Sequence, residues 1–315
     1  MPEPFPVDDR AADPEASAVT FPGARRPDRR SGVDSTGVRL AVSEWGDPGD
    51  PTILFAHGGF DFAGTLDVFA PLLVAGGWRV VSWDQRGHGD SDHAALYSWD
   101  ADLRDAAAVL DAVTSGPVVF AGHSKGGGLM MHLANAVPHR VAALVNLDGL
   151  PSHQAMSDVS ELQRTRMLHL ELTNWLDHRR TLVGKRRKPG TLDELAARRG
   201  RMNPRLSPEW LRYLVSVGGR HDADGWRWKI DPTLRLGGFG PWRPEWSMLR
   251  LPGIGVPVLG VLGLERELMG WGTQAEDVVP YLPPGARFVA MDDVGHFVHI
   301  EQPERVAGLV LEFLS

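Results

Sequence analysis

The chain has 315 residues, 43% of them hydrophobic, which is enough to bury one large core or a core with an inserted domain. Its formal net charge of −7 argues against nucleic acid as the main partner. It contains no cysteine, which excludes disulfide bonds, thiolate metal sites and a cysteine nucleophile.

The first 32 residues differ in composition from the rest of the chain. They are rich in Pro, Asp, Arg and Ala without periodicity, which predicts a disordered or loosely attached tail. They lack the apolar segment of a secretory signal. No apolar segment anywhere approaches the roughly 18 residues that a membrane helix needs. We therefore expect a cytoplasmic protein without a membrane partner.

Residues 33–149 alternate between short apolar segments and helical patterns. Strands bounded by turn signals and separated by helices are typical of a parallel, doubly wound sheet. The predicted strands are 38–45, 52–56, 78–83, 118–121 and 141–147. The predicted helices are 65–75, 103–113 and 129–137.

The alternation stops between about residues 150 and 250. This segment predicts helices over 159–182, 192–201 and 209–217, and it holds six of the eleven tryptophans. A basic run, Lys-Arg-Arg-Lys at 185–188, interrupts it, and we interpret this run as an exposed loop between helices. Strand patterns then resume at 256–262 and 287–291, and a helix over 304–314 closes the chain.

The most informative motif is Gly122-x-Ser124-x-Gly126, which joins a short apolar strand to a helical pattern. This is the sequence of a nucleophile elbow, a tight strand-to-helix turn with the serine hydroxyl at its tip. Side chains at the two glycines would collide where strand and helix meet. The N-terminus of the following helix would stabilise an oxyanion beside the serine.

Three further motifs occur with the elbow in an order that resembles the α/β-hydrolase superfamily. They are His-Gly-Gly-Phe at 57–60, Asp-Gln-Arg-Gly-His-Gly-Asp-Ser at 84–91, and Gly-His-Phe-Val-His-Ile-Glu-Gln-Pro at 295–303. The resemblance covers residues 33–149 and 251–315, and it implies an α/β fold with a doubly wound, mostly parallel sheet. The segment 150–250 stands where members of the superfamily insert a helical cap.

The resemblance assigns roles to individual residues. Ser124 is the nucleophile, and His296 is the base that such a weakly nucleophilic hydroxyl requires. The backbone N–H of Lys125 is one oxyanion donor, and the N–H of Gly59 or Phe60 is the other. Other polar residues of the motifs are implied to pack or to brace loops: His57, His88, His123, His299, Asp84, Arg86, Asp90 and Ser91.

The acid that orients His296 departs from the commonest pattern, because Arg266 stands where most relatives carry aspartate. Asp148, which follows the strand 141–147, is the first candidate, since some relatives place the acid there. Glu265 and Glu267, which flank Arg266, are the alternatives. The acid's role would be to fix the histidine tautomer and stabilise the imidazolium.

Lys125 is a second departure, because relatives usually carry an apolar residue after the nucleophile. Its ammonium would attract an anionic group of the substrate, pair with a carboxylate of the cap or reach solvent.

These features predict a serine hydrolase that cleaves a carboxylic ester, lactone or related acyl bond without cofactor or metal. A tryptophan-rich cap favours a small, largely apolar or aromatic substrate, although the tryptophans also serve to pack the cap. Two alternatives stay open: non-hydrolytic chemistry on the same scaffold (perhydrolysis, lyase or C–C bond cleavage), and a ligand-binding protein without activity. Serine rather than aspartate at 124 argues against dehalogenase and epoxide hydrolase activity.

Overall fold

The computed structural model describes residues 3–4, 14–151, 161–182, 184–234, 244–270 and 272–315. Within these residues, nine strands form one sheet. They are β1 (Glu3–Pro4), β2 (Arg29–Asp34), β3 (Arg39–Trp45), β4 (Thr52–Ala56), β5 (Arg79–Trp83), β6 (Val118–His123), β7 (Val141–Leu147), β10 (Val258–Gly263) and β11 (Arg287–Met291).

The strand order is β1-β2-β3-β5-β4-β6-β7-β10-β11. The six strands from β5 to β11 in that order are parallel, whereas β1, β2 and β3 join the edge in antiparallel fashion. Strands β4 and β6 are buried along their whole length, as apolar strands covered on both faces of a parallel sheet are. The prediction of a doubly wound, mostly parallel sheet is confirmed.

Helices cover both faces of this sheet. Helices α3 (Trp99–Val113) and α4 (Lys125–Ala136) pack on one face, and α2 (Phe69–Ala75) and α11 (Pro303–Leu314) pack on the other. Because parallel strands end at the same edge, the loops that carry the candidate site residues all meet there. Two short helices complete the core, α9 (Ala275–Val278) and α10 (Val298–Glu301).

The expectation of a loosely attached tail over residues 1–32 is wrong for residues 14–32. Strand β2 begins at Arg29 and pairs with β3, and Ala16 in α1 (Pro14–Ala18) is buried. The ring of Phe21 lies edge-on to Trp210 of the cap, with centroids 5.0 Å apart. The composition rich in Pro and Arg did not indicate this order, because tertiary contacts rather than a periodic pattern order the segment.

The segment between β7 and β10 carries α5 (Glu161–Leu182), α6 (Leu192–Gly200), α7 (Pro208–Gly218) and α8 (Pro244–Arg250). It also contains an antiparallel hairpin, β8 (Gly219–Asp222) and β9 (Gly225–Trp228), where helices and loops were expected. The hairpin is too short to show a clear alternation of apolar residues. The predicted helix start at 159 lies outside the described residues. We refer to this segment as the cap.

Candidate active site

Ser124 stands at the tip of the turn between β6 and α4. Its backbone has φ 53° and ψ −123°, a region that side chains rarely adopt. A Cβ at Gly122 would overlap the backbone of Gly126, and one at Gly126 would overlap the carbonyl of Ala56. The tight turn therefore requires both glycines, and it holds the serine hydroxyl above the end of the sheet.

Ser124, His296 and Asp148 form a continuous hydrogen-bonded chain. The hydroxyl of Ser124 lies 2.8 Å from His296 Nε2, and His296 Nδ1 lies 2.5 Å from Asp148 Oδ2. All three residues are buried, with 9% exposure or less. Because a carboxylate can only accept, Nδ1 carries the proton and Nε2 is free to accept from the serine.

Asp148 reaches the imidazole through a strained backbone of its own. It follows β7 with φ 49°, and its amide donates to the carbonyl of Val261 at 2.7 Å. Its second carboxylate oxygen accepts from the amide of Gly263 at 2.9 Å. These contacts leave Oδ2 facing His296, so the carboxylate is fixed in orientation before any substrate arrives.

The two alternative acids contact other groups. Oε2 of Glu267 accepts from the backbone N–H of His296 at 2.7 Å, not from the imidazole. Burial raises the pKa of Glu267, and the hydrogen bond from His296 opposes that effect. Glu265 is exposed. Glu267 therefore braces the backbone of the histidine loop, whereas Asp148 alone of the three candidates contacts the ring.

The same loop is also held from the cap. Glu301 accepts from the amide of Gly295 at 3.0 Å, and Arg205 of the cap forms a 2.8 Å ion pair with Glu301. Glu301 also raises the pKa of Glu267, since the two carboxylates lie close together. These two carboxylates accept from adjacent backbone amides of one loop. The positive charge of Arg205 offsets the repulsion between them.

The backbone N–H groups expected to donate to an oxyanion differ in whether they already donate to another protein atom. The amide of Phe60 donates to Nε2 of His88 at 3.1 Å, so Phe60 is not a free donor and that alternative is wrong. Among the described residues, the amides of Gly59 and Lys125 have no protein acceptor. Lys125 opens α4, where unsatisfied N–H groups and the positive end of the helix dipole point toward Ser124.

Two buried histidines hold the loop that carries Gly59. His57 donates from Nδ1 to the carbonyl of Gly58 at 2.7 Å and accepts at Nε2 from the amide of Gln85 at 2.9 Å. His88 donates from Nδ1 to the carbonyl of Arg86 at 3.1 Å. Burial lowers the pKa of His57 to about 3 and also lowers that of His88, so both act as neutral braces.

The loop after β5 is braced as the resemblance implies. Asp84 accepts from the amides of Ala63 and Asp90 at 2.8 and 2.9 Å. Arg86 forms a buried bidentate pair with Asp105 of α3, with distances of 2.6 and 2.7 Å. These residues support the site without facing it.

The side chain of Lys125 makes none of the expected contacts with the cap or with solvent. Its ammonium lies 2.6 Å from Asp102 of α3 and 2.9 Å from the side-chain oxygen of Gln85. The side chain is 13% exposed. The charge of Lys125 is therefore neutralised within the core. The carboxylate that pairs with it, that of Asp102, lies outside the elbow motif.

Sequence patterns alone missed a second group of residues beside the site. Asp61 is buried directly after the His-Gly-Gly-Phe motif, and it pairs at 2.7 Å with Arg199 of α6 in the cap. Its other oxygen faces Nδ1 of His123 at 3.9 Å. His123 in turn donates from Nε2 to the carbonyl of His296 at 2.7 Å. The position of Asp61 beside a motif was a signal, whereas nothing in the sequence marked Arg199.

The tryptophans of the cap have different environments. Trp210 and Trp226 are buried, and Trp228 stacks on Phe62 of the core with ring centroids 6.0 Å apart. Trp228 thus packs the cap on the core, whereas Trp210 contacts Phe21 of the N-terminal segment and Trp226 stacks on His221 of the cap. Trp242 lies outside the described residues.

Two other features are absent from the residues that the structure describes. Among them, no helix combines the length and apolarity that spanning a bilayer requires. The described part of the chain also brings together no group of three or more His, Cys, Asp or Glu side chains that could hold a metal ion.

Comparison with known proteins assigns this chain to a family. The model of the alpha/beta hydrolase family matches residues 53–309, and the chain belongs to that family. It is 27% identical to Epoxide hydrolase A of Mycobacterium tuberculosis, over 90% of this chain and 96% of that protein. It is 28% identical to the sn-1-specific diacylglycerol lipase of Mus musculus, over 95% and 92%.

Solved structures agree on the fold. The thioesterase domain from the curacin biosynthetic pathway superposes with a TM-score of 0.74 at 24% identity, over 90% of this chain and 99% of that domain. At that identity the likeness concerns the fold alone. The family is thus shown over most of the chain.

Proposed function

We propose that this protein is a serine hydrolase that cleaves a carboxylic ester, a lactone or a related acyl bond through an acyl-enzyme. The observation that carries the proposal is the chain of hydrogen bonds from Ser124 through His296 to Asp148, at 2.8 and 2.5 Å. A serine hydroxyl needs an adjacent base to attack a carbonyl, and that base needs a fixed tautomer.

The proposed reaction follows from these positions. His296 Nε2 takes the hydroxyl proton as Ser124 Oγ bonds to the carbonyl carbon, and the imidazolium is stabilised by Asp148. The negative charge that develops on the substrate oxygen is held by the amides of Lys125 and Gly59. His296 then returns the proton to the leaving alcohol, and water releases the acid in a second cycle of the same steps.

A serine nucleophile also distinguishes the proposed reaction from epoxide hydrolysis, the activity for which the Mycobacterium tuberculosis relative is named. A serine that opened an epoxide would be left as an ether, which the second step cannot hydrolyse. A serine acylated by an ester is left as a new ester, which water can cleave with the same His296. The hydroxyl of Ser124 therefore favours acyl substrates, in keeping with the lipase among the relatives.

Active-site labelling tests the proposal. A fluorophosphonate probe should attach to one peptide containing Ser124, and Ser124→Ala should remove the label while leaving the melting temperature within a few degrees. We expect hydrolysis of p-nitrophenyl esters or lactones of graded acyl length by the wild type. In the Ser124→Ala variant we expect a loss on the order of 10⁶-fold, the size found for a serine protease.

Product analysis separates the alternatives. Labelling without any acyl hydrolysis would favour non-hydrolytic chemistry on the same residues. Absence of labelling in the folded wild type would contradict a reactive serine and favour a ligand-binding protein.

A further inference from the structure

A cavity of about 630 Å³ lies in the cap, between the end of α5, the loop that follows it and the β8–β9 hairpin. None of Ser124, His296 and Asp148 lines it. Its volume is in the range of sites that bind small molecules. Residues 185–187 of the basic run contribute to its wall, and the proposed reaction assigns no role to these residues.

Seven cationic side chains line this cavity, against a single carboxylate, that of Asp231. Three of the seven are neutralised by carboxylates outside the lining. Arg220 and Arg227 share Asp222, at 3.0 and 2.7 Å, and Lys229 lies 2.5 Å from Asp90. These three charges therefore do not require a ligand.

The other four cations are Arg179, Lys185, Arg186 and Arg187. Within the described residues, no carboxylate lies within 4.0 Å of any of their charged groups. The carboxylate of Asp231 accepts from Tyr97 and Thr233, and its charge acts on Arg187 without forming an ion pair with it.

Arg187 has the least favourable environment of the four. Its guanidinium donates to the carbonyls of Ile230 and Asp231 at 3.2 and 2.9 Å, which are neutral acceptors. Burial lowers the pKa of Arg187, and the charge of Asp231 opposes this effect only in part. Arg179 likewise donates to the carbonyls of the turn at 94–95.

A protein with a net charge of −7 thus gathers seven cations and one carboxylate around one concave space, and four of these cations form no ion pair within the described residues. Like charges that share one space repel one another, and an anion between them relieves the repulsion. Guanidinium groups present planar forks of donors that match the oxygens of a phosphate. We propose that this cavity is a binding site for a phosphorylated small molecule, whose phosphate lies among Lys185, Arg186 and Arg187.

The shape of the cavity favours a soluble organic phosphate over a bare ion or a membrane surface. A single phosphate would occupy only a small part of about 630 Å³. The lining also includes the apolar residues Leu182, Trp228 and Ile230, which favour an organic moiety beside the phosphate.

Calorimetric titration with inorganic pyrophosphate, at about 150 mM salt to screen diffuse attraction, tests the site. We expect saturable binding of one pyrophosphate by the full chain. The double variant Lys185→Gln/Arg186→Gln should raise the Kd at least tenfold, because it removes two charge-assisted contacts. Both side chains are exposed, so the variant is expected to fold, which its melting curve will show.

The matched control is Arg26→Gln/Arg201→Gln, which removes two exposed charges outside the cavity. We expect its Kd to stay within twofold of the wild type. Absence of saturable binding by the wild type, or an equal loss of affinity in the control, would overturn the proposal.

A vesicle experiment identifies the source of the phosphate. We expect no more protein to sediment with vesicles containing phosphatidic acid than with pure phosphatidylcholine. Sedimentation that requires phosphatidic acid and depends on Lys185 and Arg186, without binding of free pyrophosphate, would replace the soluble ligand by a lipid headgroup. These outcomes are independent of the labelling of Ser124.

Discussion

The guanidinium of Arg199, on cap helix α6, forms a buried 2.7 Å ion pair with Asp61, in the loop that carries Gly59. Burial raises the pKa of Asp61, and the charge of Arg199 from the cap opposes this effect. Asp61 faces His123, which holds the carbonyl of His296. The Arg199–Asp61 pair therefore ties the cap to the loop that carries Gly59, beside the histidine that holds the histidine loop.

We expect Arg199→Gln to lower kcat by about 10²-fold, because a shift of about 1 Å in the loops around the site has that effect. Leaving Asp61 buried without its partner should also lower the free energy of unfolding by about 3 kcal/mol. Steady-state kinetics and urea unfolding measure the two effects. Arg201→Gln, two positions along the chain and exposed, is the control.

A second substitution separates the ion pair from general damage to the cap. Asp61→Asn in the Arg199→Gln background removes the unpaired charge and should restore part of both losses. Unchanged kcat in Arg199→Gln would show that the cap does not influence the site through this pair.

The acid of the proposed triad can be identified by comparing two variants, in each of which one carboxylate is replaced by the corresponding side-chain amide. Asp148→Asn should lower kcat by about 10⁴-fold, the scale seen when a triad aspartate is replaced and the histidine tautomer is lost. Glu267→Gln should stay within about tenfold of the wild type, since a glutamine oxygen still accepts from the amide of His296. The reverse pattern in the measured kcat values would make Glu267 the acid.

The buried imidazole of His299 makes stability depend on pH. Burial lowers its pKa from 6.5 to about 3 in the folded state. Below pH 6.5 the unfolded chain therefore binds a proton that the folded chain does not, and stability falls as pH falls. Between pH 6.5 and 5.5 this one group should cost about 1 kcal/mol of unfolding free energy.

Urea unfolding of His299→Asn at these two pH values measures that contribution. We expect the variant to lose about 1 kcal/mol less than the wild type over this interval, whatever its absolute stability. His139→Asn, at an exposed position, is the matched control and should keep the wild-type slope. A wild-type slope in His299→Asn would mean that the imidazole is not kept neutral in the fold.

The N-terminal segment should contribute to stability through Phe21. Its ring contacts Trp210 and Tyr213 of the cap, with centroids 5.0 and 6.1 Å away. Phe21→Ala should therefore lower the unfolding free energy by about 1–3 kcal/mol. Leu249→Ala, which truncates a side chain that is 75% exposed, should change it by no more than about 0.5 kcal/mol. Equal effects in denaturant unfolding would show that the segment is loosely attached after all.

The sequence was most informative where a local rule is strict. Strands β4 and β7 have the predicted bounds, because buried parallel strands are short apolar runs ended by turn residues. Ser124 and His296 were predicted as nucleophile and base because a nucleophile elbow needs its glycines and because the histidine loop resembles a known pattern. Strand β2 was missed because its sequence, Arg-Arg-Ser-Gly-Val-Asp, acquires its structure from pairing with β3.

Tertiary structure decided what depends on atoms that are distant in sequence. Three carboxylates stood at plausible positions for the acid, and only the turn after β7 brings the oxygen of Asp148 to the imidazole, 148 positions away. The same holds for the pairing of Lys125 with Asp102, of Phe60 with His88 and of Asp61 with Arg199. Local sequence determines which residues can donate or accept, but a hydrogen bond requires a distance within about 3.2 Å, and the folded chain alone sets that distance.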